Sequence, residues 1–114
     1  MFGPTNVCLH RVDMLLRFED GWSALEVAAG LGREALSGMS RERQAGHRVA
    51  MARASLLTRR KDDAARALLE ADELAPEEVR NTPSTVNLAK DVVCATPNPG
   101  GELRALAERC GLRA

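Results

Sequence analysis

Along the middle of the chain Ala45, Val49, Ala52 and Leu56 recur at the spacing of one helical face, and Ala64, Leu68, Ala71 and Ala75 repeat the pattern. The polar run Thr58-Arg59-Arg60-Lys61-Asp62-Asp63 separates the two stripes. The pattern predicts two helices folded back on one another, an antiparallel hairpin over 40–76. Ser40 is placed to cap the first helix. Asp62 or Asp63 is expected to cap the second by accepting its unpaired N–H groups, with Arg59 and Arg60 at the negative end of the first helix dipole. Gly46 is a weak point within the first helix, costing about 1 kcal/mol relative to alanine. Pro76 ends the second, because an interior proline removes a backbone hydrogen bond and clashes with the preceding turn.

The flanks carry the same period. A helix capped by Thr5 would place Val7, Cys8, Val12, Leu15 and Phe18 together and end at Glu19-Asp20-Gly21. A shorter one over 22–29 would gather Trp22, Leu25, Ala28 and Ala29 on one side. These make a first hairpin over 5–30, and its break before Ala24 lies 40 positions ahead of the break before Ala64. Residues 31–39 read as a connector. Beyond Pro76, Glu77 to Asn81 suit a turn or a short helical piece. Thr82 then Pro83 is a helix start, a capping hydroxyl followed by proline where its missing N–H is harmless. That helix, over 82–95, would turn Val86, Ala89 and Val93 inward. The run from Thr96 to Gly101 breaks the chain again. A last helix over 102–110 follows, with Leu103, Leu106, Ala107 and Cys110 on one face and Gly111 as its C-terminal stop. The expectation is one all-α domain over 1–114 with about six helices, since no segment alternates at period two.

Alanine on the facing stripes lets two backbones approach closely. With Ala52 in the first helix, Ala64, Leu68 and Ala71 in the second and Pro76 at its end, the central pair resembles a tetratricopeptide hairpin. Arg48 and Ser55 stand where that repeat usually carries Trp and Tyr. A tetratricopeptide unit has about 34 residues, so the 40-residue offset places an insertion of about six in the connector. Stacked hairpins of this kind leave a concave face that commonly binds a protein, peptide or small ligand. The resemblance lines that groove with Leu9, Asp13, Leu16 and Arg17 from one helix and Arg48, Met51 and Ser55 from the other. These residues could equally bury against the connector or a second copy of the chain in a homodimer.

Composition narrows the picture. At 114 residues the chain suits one domain with a modest core. Aromatics are limited to Phe2, Phe18 and Trp22, which fits thin, closely packed helices better than a β-sandwich. Sixteen basic side chains balance sixteen acidic ones, so no long-range positive field draws the chain to nucleic acid or to an anionic membrane. Only Lys61 and Lys90 among the basic residues are lysine, which with the abundant alanine suggests a GC-rich genome. Cys8, Cys94 and Cys110 are odd in number and lack ligand spacing, so reduced thiols are expected rather than a disulfide framework or a zinc site. The N-terminus lacks the pattern of a signal peptide, and no uncharged run approaches a bilayer span. A soluble, cytoplasmic protein is the expectation.

Candidate chemistry is sparse. Cys8 and His10 lie two apart on a predicted helix and therefore point in different directions, with no oxyanion-hole signature beside them. His47 reads as a helix-face residue. Asp62-Asp63 and Glu77-Glu78 sit at predicted helix starts, where the dipole accounts for them. Arg59-Arg60-Lys61 reads as a solvated turn, offset by the aspartates that follow. Gly100-Gly101 has neither the spacing nor the preceding strand of a nucleotide loop. No enzyme, cofactor or metal site is expected.

Four segments in order carry a wider resemblance: FGPTNVCLHRV from Phe2 to Val12, the central helical pair, ALLEADELAPEEVRNTP from Ala67 to Pro83, and ELRALAERCGL from Glu102 to Leu112. Together they resemble the C-terminal part of actinobacterial helix-turn-helix transcriptional regulators of the xenobiotic-response-element (XRE) type. In that family a DNA-binding domain precedes a tetratricopeptide-like region thought to sense a ligand or partner and to aid dimerisation. The chain begins at the second region, so the resemblance implies a regulatory sensor domain without DNA-reading residues of its own. Between Asn87 and Thr96, where the family tends to carry arginines, only Lys90 is basic. A free-standing protein–protein adaptor is the alternative expectation.

Overall fold

Two Schellman turns, 40 residues apart, set the architecture. The computed structural model describes residues 4–30, 37–96 and 100–111, without the side chains of 4–8 and of His10. Among them the chain forms seven helices and no strand: α1 (Pro4–Arg17), α2 (Gly21–Ala29), α3 (Arg41–Leu57), α4 (Lys61–Leu74), α5 (Pro76–Asn81), α6 (Pro83–Ala95) and α7 (Gly101–Arg109). The all-α class is as expected. At the end of α1, Glu19 N–H donates to Leu16 O at 3.0 Å and Asp20 N–H to Leu15 O at 2.9 Å. At the end of α3, Arg59 N–H donates to Leu56 O at 3.1 Å and Arg60 N–H to Ser55 O at 2.7 Å. Both turns pass through a left-handed residue that is not glycine, Glu19 at φ 57° and Arg59 at φ 62°. The two turns therefore match residue for residue, and Ala24 and Ala64, five positions beyond each, are both fully buried.

The turns differ in how the next helix starts. Asp20 caps α2, its carboxylate accepting from Ser23 N–H at 3.1 Å. The corresponding Arg60 makes no side-chain cap, so α4 starts uncapped at Lys61. Asp62 and Asp63, predicted as caps, lie inside its first turn because the Schellman turn leaves no residues between it and the helix. There they still oppose the positive end of the dipole. Arg60 instead lays its guanidinium over the Trp22 ring, 4.8 Å from its centre, and ties one turn to the other. Ser40 caps α3 as expected, accepting from Arg43 N–H at 3.2 Å.

α3 is central because it packs on both sides. Its Ala45 and Ala52 join Leu68, Ala71, Val79, Leu88, Val92 and Leu106 in the larger cluster, where α4, α5, α6 and α7 meet. Its Ala54 joins Val12 and Ala24 in the smaller cluster under α1 and α2. Close approach at that second contact depends on Gly21. A Cβ there would stand 2.7 Å from Ala54 O and 2.9 Å from Leu57 Cβ.

Several helices are rotated from the predicted face. Trp22 is 59% exposed and Ala29 is exposed, because Gly21 and Ala24 are the side of α2 that docks, and Phe18, in the turn after α1, is 77% exposed. In α6 the buried positions are Thr85, Leu88, Ala89 and Val92, about one residue round from the predicted Val86, Ala89 and Val93. Thr82 occupies the cap position of α6, but its hydroxyl makes no capping bond. Thr5 lies within α1, which starts at Pro4, and is not its cap. Pro76 does end α4, and it also opens α5: without an N–H it suits a first helical position, and it holds Ala75 extended at φ −152°. The short piece expected after Pro76 is thus a helix of its own, with Val79 fully buried. In α7 Leu103, Leu106 and Ala107 are buried, and Gly111 at φ 79° ends the helix as expected. Most of the predicted connector, 31–36, lies outside the described residues.

Candidate functional site

A groove runs along α1, bounded by one face of α3 and the start of α6. It is built of three overlapping depressions. The first, about 290 Å³, lies between Leu9, Val12 and Asp13 of α1 and Arg43, Gly46, His47 and Ala50 of α3. The next, about 450 Å³, shares Asp13, Gly46 and Ala50 with it and extends to Leu16, Arg17, Arg53 and Ser84. The last, about 400 Å³, continues past Leu16, Arg53 and Ser84 to Glu19, Leu57, Asn87 and Asp91. The walls alternate aliphatic side chains with charges of both signs, Asp13, Glu19 and Asp91 against Arg17, Arg43 and Arg53.

Of the groove residues expected from the sequence, Leu9, Asp13, Leu16 and Arg17 line this surface. Arg48, Met51 and Ser55 lie elsewhere. Arg48 pairs with Glu70 of α4 at 3.3 Å. Met51 packs on the small cluster with Val12 and Ala24. Ser55 is buried beneath the turn, its carbonyl accepting from Arg60 N–H and, at 3.0 Å, from Thr58 Oγ1. The reason is the docking of α2 and α4, which covers the side of α3 that carries 48, 51 and 55. The open side carries Gly46, Ala50, Arg53 and Leu57, a run at helical period that the repeat resemblance did not single out.

Gly46 gives that face its character. A Cβ added there would meet nothing within 4 Å, so packing does not demand glycine. The residue sits mid-helix at a cost of about 1 kcal/mol and leaves the groove floor bare. His47 beside it is buried at 7% exposure, and its Nδ1 has no hydrogen-bond partner. Burial lowers its pKa below the ordinary histidine value, Arg48 pushes the same way, and Asp13 opposes them. The sequence had suggested only a helix-face imidazole.

A second polar cluster ties the other end together. Asp72 of α4, nearly buried, accepts from Arg109 Nη2 of α7 at 2.7 Å and lies 3.7 Å from Arg80 Nε of α5. It clamps three helices, and pattern reading passed over it although it falls four residues beyond Leu68 on the buried stripe. Nearby, burial pushes the Cys110 thiol up and Asp72 adds to this, while Arg80 and Arg109 oppose. A raised pKa disfavours the thiolate, the nucleophilic form. Cys94 and Cys110 are free, and the side chains of Cys8 and His10 lie outside the described residues. No helix among the described residues is long and apolar enough to cross a membrane.

The fold and groove define an all-helical protein with an open, mixed-polarity cleft. No family model, curated protein or solved structure matches the chain.

Proposed function

We propose that this chain is a regulatory, sensor-type helical-repeat domain, tetratricopeptide-like and similar to the C-terminal part of XRE-type helix-turn-helix regulators. It holds a protein, peptide or small ligand in the groove between α1, α3 and α6, dimerises as such regulators do, and works in the cytoplasm. The observation that carries this reading is Gly46, a helix-interior glycine that packing does not require and whose bareness keeps the groove open. The recurrence of the two turns 40 residues apart supports the repeat. On this reading the chain itself does not bind DNA, and its balanced charge supports that. Titration of duplex DNA into the chain across a salt series tests this: the expected result is no saturable binding, and tight binding that weakens steeply with salt would overturn the sensor reading.

One observation favours the adaptor alternative. Met14, Phe18, Trp22 and Leu57 are 56%, 77%, 59% and 40% exposed, and large exposed apolar side chains often mark protein contacts. A single stoichiometric partner that is not a transcriptional regulator, lost on Trp22→Ser, would establish it.

A further inference from the structure

We propose that the side of α1 turned away from the groove is where a second copy of the chain docks, with the two α1 helices antiparallel about a twofold axis. The inference deepens the sensor reading, on which the expectation of a dimer rests, by naming the face. It starts from the match between the two turns. Forty residues apart, Met14 corresponds to Ala54 and Phe18 to Thr58, and each pair closes the same backbone bond. Phe18 N–H donates to Met14 O at 3.3 Å, and Thr58 N–H donates to Ala54 O at 3.1 Å. The later pair is covered, Ala54 at 0% and Thr58 at 9% exposure, because α2 docks there through Gly21. The earlier pair is open, with Met14 56% and Phe18 77% exposed. The outer side of a terminal repeat is normally polar. Here the positions that receive a neighbour in the second hairpin are apolar and bare in the first. They lie about 100° round α1 from Asp13 and Arg17 of the groove wall, so face and groove can be occupied together.

Size and charge identify what covers them. α2 comes close to α3 because Gly21 and Ala54 are both small. Methionine and phenylalanine would hold off a hairpin stacked in that way, and they suit two helices packed at the ordinary separation of about 8–10 Å. Charge then sets the direction. Arg11 lies three residues before Met14 and Glu19 directly follows Phe18, both exposed and neither in an ion pair among the described residues. Antiparallel α1 helices crossing between residues 14 and 18 put Met14 of each copy on Phe18 of the other, a favourable sulfur–ring contact. The same pairing brings Arg11 of each within reach of Glu19 of the other. Parallel pairing would oppose Arg11 to Arg11 and Glu19 to Glu19. A twofold contact closes on itself, so assembly stops at the dimer. The 14 residues of α1 span about 21 Å, which gives a contact at the small end of interfaces and a weak, micromolar dimer.

Sedimentation equilibrium of the full chain over about 1–500 μM tests the assignment, with far-UV circular dichroism to show that each variant is folded. The wild-type chain should pass from monomer to dimer with concentration and go no further. Phe18→Ser should weaken the dimer at least about tenfold. Arg11→Glu and Glu19→Arg should each do the same, whereas together they restore the pairing across the axis and should return the affinity to within about threefold of wild type. Arginine is accommodated at position 19, since Arg59 holds the same left-handed conformation in the second turn. A chain that stays monomeric throughout overturns the proposal and the dimer of the sensor reading with it, and leaves the groove reading standing. A dimer indifferent to Phe18→Ser, or a charge swap no tighter than its single variants, overturns this face while the dimer stands. Growth beyond the dimer would show open head-to-tail stacking and overturn the twofold.

Discussion

Replacing Gly46 by alanine should stabilise this protein, and replacing Gly21 by alanine should destabilise it, although the two changes add the same methyl group to a helix. At position 46 the new Cβ meets nothing within 4 Å, so the change alters only the helix propensity. Alanine is better than glycine by about 0.8–1 kcal/mol in a helix interior, through the lower entropy of the unfolded chain. For a domain of 114 residues that is a rise of about 3–4 °C in melting temperature. At position 21 the Cβ would stand 2.7 Å from a backbone oxygen, Ala54 O, which cannot swing aside as a flexible side chain could. Relief requires α2 to back away from α3, and overpacking of this kind costs about 1–3 kcal/mol. Only part of the propensity gain offsets it, because Gly21 is at the first position of its helix. Urea unfolding followed by far-UV circular dichroism, with both variants and wild type fitted at a common m-value, measures the difference. The midpoint should move up for Gly46→Ala and down for Gly21→Ala. If both move in the same direction, the docking of α2 on the end of α3 is wrong, and with it the face of α3 assigned to the groove.

Further expectations follow from single side chains. Leu68→Ala, at a site with no exposure in the larger cluster, should cost about 2–5 kcal/mol in the same unfolding assay, and a loss under half a kcal/mol would refute the hairpin register. Arg59→Gly should stabilise by about 0.5–1 kcal/mol, because a left-handed residue with a side chain is strained there and relief exceeds the entropy lost to glycine. Asp72→Ala should destabilise by about 1–3 kcal/mol as α4, α5 and α7 lose their common clamp, and Arg109→Ala in the same background should add little. His47 has a lowered folded pKa, so below pH 6.5 the unfolded chain takes up its proton first. Stability should therefore fall as pH drops from 6.5 toward the folded value, by no more than about 1.4 kcal/mol per pH unit, and His47→Gln should remove that part of the slope.

The sequence made the central hairpin legible because Ala64, Leu68, Ala71 and Ala75 are spaced for one face and all four are buried. It left rotation less well defined in the outer helices. Alanine and valine are spread around α2 and α6, so moving the inward face by one residue, about 100°, changes the apolar count little. Contacts far along the chain then decide, as when Gly21 admits the end of α3 and leaves Trp22 outside. The α1 wall of the groove could be read for the same reason that its partner could not. Leu9, Asp13, Leu16 and Arg17 sit on a helix covered on one side only, whereas the exposed side of α3 depends on where α2 and α4 dock. A signal was nonetheless present at Gly46, visible as a weakness in the helix but informative only once the space above it is known.

Native mass spectrometry of the chain isolated from its source cells, beside the same chain carrying Gly46→Leu, tests the groove most directly. If the groove holds a ligand or partner, it should be bound to the wild-type chain and absent from the variant, which should melt no lower than wild type. A companion carried equally by both, or a groove empty in both, would contradict it.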